Sequence, residues 1–126
     1  IPSQVEGNSL LPLLCGEEVQ TREYYHGEHA PCYHPENANQ FLTDNKWKYI
    51  WNPITGREQL FNIKDVPNEC NDLVLHGHYI DILESWRSSL AKHLYGRKDG
   101  LSDGEKLITG KVSAWIGGDA SDFHMG

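Results

Sequence analysis

The densest concentration of side chains able to do chemistry is the nine-residue run His26-Gly27-Glu28-His29-Ala30-Pro31-Cys32-Tyr33-His34. Three imidazoles, a carboxylate and a thiol so close together are the ligand types of a transition-metal site. Their spacing opposes one. His26 and His29 share a face only on a helix, and on a strand they point to opposite sides. Gly27, Pro31 and Pro35 disfavour a helix there. No metal ligand is therefore assigned. Two readings stay open for His26, Glu28 and His29: contact with a substrate from the end of a strand, or a satisfied polar cluster tying a loop to its neighbour.

Other candidates carry less. Trp47, Tyr49 and Trp51 alternate on one strand face and could stack on a sugar, but alternating aromatics on a central strand are ordinarily core. His76 and His78 flank a helix start and read as exposed loop residues. Asp119, Asp122 and His124 lie too near the C-terminal end to make a site. Cys15, Cys32 and Cys70 are odd in number and widely spaced, so neither a disulfide framework nor a four-thiolate zinc site follows.

The elements that must position these residues centre on Lys46–Leu73. Lys46–Trp51 alternates with a period of two, Asn52-Pro53-Ile54-Thr55-Gly56 is turn chemistry, and Glu58–Ile63 alternates again. This is a hairpin. Upstream, Thr21–His29 reads as a strand, Ala30–Asn39 as loop, and Gln40–Asp44 as a short strand turning at Asp44-Asn45. Four strands in meander order follow, at about 22–28, 39–44, 46–52 and 58–63.

Gly77–Tyr95 is the one strong helix. Ile80, Leu83, Trp86, Leu90 and Leu94 form a stripe, with Asp81 and Glu84 early and Lys92 and His93 late. Gly96 is placed to end it in the left-handed conformation. The predicted class is α+β, a four-stranded antiparallel sheet with one long C-terminal helix packed on one face. Val5–Cys15 predicts a short helix capped by Asn8 or Ser9, with Pro12 in its first turn and Gly16 ending it. Residues 98–126 read as a glycine-rich tail, irregular over Asp99–Glu105 and Gly117–Gly126, with one short strand within Lys106–Trp115.

At 126 residues the chain can bury one modest core. A net charge of -7 without a Lys/Arg cluster argues against a nucleic-acid partner. The longest apolar run, Leu10–Cys15, is too short to span a membrane. Beginning at Ile1-Pro2, with Met125 the only methionine, the sequence reads as a piece excised from a longer protein.

The central stretch resembles the C-terminal subdomain of the arylsulfatases, in the alkaline-phosphatase-like superfamily. Lys48-Tyr49-Ile50-Trp51, then Gly56, Glu58-Gln59-Leu60-Phe61-Asn62-Ile63, match that family's hairpin motif. Asp65, Pro67, Glu69, Asn71, Asp72 and Leu73 match the turn after it, with Val66 inserted. Val5–Gly16 is similar to the leucine-rich segment that follows the family's catalytic core. The resemblance covers residues 1–97.

It implies a fragment of a sulfate-ester hydrolase that supports the catalytic domain, walls the substrate pocket with His26, Glu28 and His29, and is inactive alone. No cysteine stands in the C/S-x-P/A-x-R motif that yields formylglycine, so the resemblance places that residue and the calcium ion outside this chain. A periplasmic or secreted location also follows from it. Deprived of its partner, the isolated chain is expected to self-associate. Two other functions compete: a free-standing α+β carbohydrate-binding or interaction module, and a small metal-dependent hydrolase built on His26–His34.

Overall fold

The computed structural model describes residues 7–19, 22–31 and 34–110. Strands β1 (Tyr25–His29), β2 (Asn39–Thr43), β3 (Trp47–Trp51) and β4 (Glu58–Asn62) form one antiparallel meander in sequential order. Each lies within a residue or so of its expected span except β1. That strand starts at Tyr25 because its partner ends opposite it at Thr43, where the chain turns. The Asp44 carboxylate accepts from the Lys46 and Trp47 amides at 2.7 and 2.6 Å, closing the β2–β3 turn. At the β3–β4 turn, Asn52 Oδ1 accepts from Ile54 and Thr55, and Gly56 supplies the positive φ.

A 3-10 turn at Gly77–Tyr79 leads into the long helix, which spans Ile80–Leu94. Leu83, Trp86, Leu90, Ala91 and Leu94 are buried. They pack on Leu42, Tyr49, Trp51 and Leu60 from the sheet, with Leu73 and Leu101 completing the core. Ile80, expected in the stripe, is exposed at the first turn, and Ala91 is buried further along. Gly96 takes a φ of +79°, as the helix end requires. Register puts Gln40 and Leu42 beside Trp51 and Tyr49 on the helix-facing side. His26 and Glu28 stand on that side too, opposite Leu42 and Gln40. The other side carries Phe41, Lys48, Ile50 and Phe61.

Beyond the helix, the described residues up to Gly110 stay on the fold. Leu101 is 1% exposed, the Ser102 hydroxyl donates to the Ala91 carbonyl at 2.6 Å, and the Gly110 amide donates to the Pro53 carbonyl at 2.8 Å. The expected irregular stretch Asp99–Glu105 is thus pinned to helix and hairpin without regular structure of its own. Residues 106–110 contain no strand, only an isolated bridge between Ser102 and Leu107. The rest of that predicted strand, with Asp119, Asp122 and His124, lies outside the described residues.

At the other end of the chain, the expected short helix is Leu11–Leu14, a single turn (α1) with Pro12 in its first turn and Ser9 Oγ accepting from the Leu11 amide. Nothing among the described residues covers it. Leu10, Leu11, Leu13 and Leu14 are 60–81% exposed.

Candidate functional site

Strand parity separates the three candidate residues. His29, opposite Asn39, projects to the side away from the helix and is exposed. His26 and Glu28 share the helix side, joined through a residue that local pattern did not single out. The Gln40 carboxamide oxygen faces His26 Nε2 at 2.8 Å as an acceptor, and its nitrogen donates to Glu28 Oε2 at 3.2 Å. Arg97, just past the helix, donates to the same carboxylate oxygen at 2.9 Å and is held in turn by Asp99.

Burial pushes the Glu28 carboxyl up, but hydrogen bonds from Arg97 and Gln40 outweigh it and hold it below its ordinary value. Burial pushes the Arg97 guanidinium down, and its pairing with Glu28 and Asp99 outweighs that and holds it up.

The His26 ring lies 4.5 Å from the His93 ring, and Tyr24 stands edge-on to both His93 and Trp86. Tyr24, His26 and His93 line an open groove of about 970 Å³ together with Asn8, Ser9 and Pro12 of α1. Arg22 and Glu23 also line it. The groove mixes apolar rings with hydrogen-bonding groups, the lining of a site for a polar ligand with a carbon frame. Gln40 had one sequence signal, a polar residue on the strand parity that buries Leu42. His93 and Arg97 had none, because helix and strand meet there only in three dimensions.

Of the rest of the His26–His34 run, His34 is exposed and its Nδ1 caps the Pro35–Asn37 turn. Cys32 and Tyr33 lie outside the described residues. Among the described residues no three His, Cys, Asp or Glu side chains converge as metal ligands. Cys15 and Cys70 are free and exposed. His76 and His78 are exposed, and Trp47, Tyr49 and Trp51 are buried as core. No helix among the described residues is long and apolar enough to cross a membrane.

A second polar cluster sits inside the sheet–helix interface. Arg87 grips Glu58 with two hydrogen bonds of 2.7 Å each, and the fully buried Tyr49 hydroxyl donates to the same carboxylate. Burial raises the Glu58 carboxyl, but Arg87 and Tyr49 together bring it below its ordinary value. Tyr49 is driven upward by burial and by the Glu58 charge, so its hydroxyl stays a donor. The cluster ties β3 and β4 to the helix.

No protein-family model matches the chain. An arylsulfatase of Clostridium perfringens is 36% identical over 110 residues, covering 87% of this chain and 22% of that protein. A 2-O GAG sulfatase structure superposes with a TM-score of 0.71 at 24% identity, over 86% of this chain and 24% of its own. A candidate sulfatase from Bacteroides thetaiotaomicron gives 0.71 at 22% identity, over 98% of this chain and 28% of its own. A structure solved with its substrate D-glucosamine-2-N,6-O-disulfate gives 0.67 at 19% identity, over 84% and 23%. These solved structures share the fold. The chain spans about a quarter of the length of the relatives it matches.

Proposed function

We propose, from a chain that has the sequence and fold of a sulfatase C-terminal subdomain, that it completes a sulfuric ester hydrolase by supporting that enzyme's catalytic domain. The observation that carries this is the 36% identity over 110 residues to a stretch amounting to 22% of an arylsulfatase. A match to one part of a longer enzyme favours a subdomain over a free-standing carbohydrate-binding or interaction module.

Calcium and formylglycine, in this reading, belong to the catalytic domain. What supports this is the sequence: none of Cys15, Cys32 and Cys70 stands in the formylglycine motif. This chain's contribution is binding and orientation rather than bond cleavage. The exposed leucines of α1 would meet the catalytic domain, and in its absence another copy of the chain.

The groove beside His26 is the proposed substrate wall, with Glu28 backing His26 through Gln40. His29, on the opposite side of β1, would touch a different part of the substrate or the adjoining domain. The test is His26→Ala and His29→Ala in the full-length parent enzyme, each assayed on the natural substrate and on a small aryl sulfate. Losing one hydrogen bond to substrate should slow the natural substrate about ten- to a hundred-fold. The aryl sulfate, lacking the distal groups, should lose less. Equal losses on both, in step with a lowered melting temperature, would make the cluster purely structural.

A further inference from the structure

Gln40 occupies a core position on β2, two residues from Leu42, and is only 6% exposed. A buried carboxamide has to be satisfied at both ends, and its ends are not interchangeable. Its nitrogen faces Glu28 Oε2, the oxygen that also takes Arg97. An ionised carboxylate only accepts, so turning the amide over would set two acceptors against each other. Arg97 keeps Glu28 ionised, and Asp99 keeps Arg97 in place. The amide orientation is thereby fixed, which leaves its oxygen facing His26 Nε2 at 2.8 Å. An amide oxygen also only accepts. That ring nitrogen must carry the proton, and in the neutral ring the other nitrogen is then bare.

We propose that Arg97, Glu28 and Gln40 form a positioning relay that fixes His26 as its Nε2–H tautomer, leaving Nδ1 as an acceptor for a hydroxyl group of a ligand in the groove. His26 lines the groove, and the His93 ring 4.5 Å away supports one side of the imidazole. A neutral imidazole presenting bare Nδ1 has no proton to offer a sulfate oxygen. It matches a hydroxyl donor such as a sugar carries. The ligand class rests on the sulfatase reading above, whereas the tautomer rests on the hydrogen bonds alone.

The test is nitrogen-15 NMR of the His26 ring in the whole chain at about pH 8.5, some two units above the ordinary imidazole value. The wild-type ring should show a single tautomer, Nε2 protonated and Nδ1 bare. Glu28→Gln does not touch His26, yet it removes the group that orients Gln40 and should shift the ring toward a tautomer mixture. Gln40→Met should do the same. Should Gln40→Met fail to fold, Glu28→Gln alone still decides the matter, with unchanged amide resonances elsewhere as the folding control. Inorganic sulfate should leave the His26 nitrogens where they are. None of these readouts uses catalysis, so they do not depend on the parent's activity. A wild-type ring protonated at Nδ1 or a tautomer unmoved by Glu28→Gln would overturn the relay, and a sulfate-dependent shift at Nδ1 would overturn the ligand assignment.

Discussion

Removing the Tyr49 hydroxyl and removing the Glu58 carboxylate should cost different amounts. Tyr49→Phe leaves Glu58 with both Arg87 bonds, so the loss should be about 1 kcal/mol. Glu58→Ala strands a hydroxyl on a residue with no solvent exposure, and should cost about 2–3 kcal/mol. Arg87 can turn toward water in that variant because its side chain is 40% exposed. Urea unfolding with an unchanged slope measures both. The same carboxylate sets a pH response. Its folded-state value lies below the ordinary 4.5, so its stabilisation is complete above that value and is lost as pH falls through the folded one. Glu28 acts in the same sense. Unfolding midpoints should therefore decline in acid, and less steeply in Glu58→Gln.

Gly27 shows how an element depends on a single missing atom. A Cβ there would collide with the ring of Phe41, which stands opposite it on β2. Gly27→Ala should displace that ring at a cost of about 1–3 kcal/mol. In a Phe41→Ala background the same substitution should cost far less, and a double-mutant cycle reads the difference. Period-two alternation in Lys46–Trp51 and Glu58–Ile63, and the stripe from Leu83 to Leu94, made the hairpin and helix legible in the sequence, since both patterns are local. The site was half legible. His26 and Glu28 stood out by type, and parity alone separates them from His29. What completes the site, Gln40, His93 and Arg97, comes from a neighbouring strand, a helix end and the chain beyond it. Leu101 was hidden for a related reason: one apolar residue among glycines and aspartates has no period to announce its burial.

For the molecule as a whole, the leucines at α1, uncovered among the described residues, bear on whether the chain stands alone. Four neighbouring leucines between 60 and 81% exposed form an apolar patch of the kind that seeks a partner. The isolated chain should accordingly self-associate as its concentration rises, and Leu11→Ser with Leu14→Ser should return it to a monomer. Light scattering across a concentration series checks this. A strictly monomeric wild-type chain at high concentration would leave the patch without the proposed role.

In the proposed function this chain supports a sulfate-ester hydrolase without performing the hydrolysis. Chromogenic aryl sulfate turnover, measured in parallel for the isolated chain and for the full-length parent enzyme, addresses it most directly. The parent should turn the substrate over, and the chain should give only background release, with or without added calcium. Release above background by the chain, in a preparation free of the parent, would contradict it, as would a parent enzyme with no sulfatase activity.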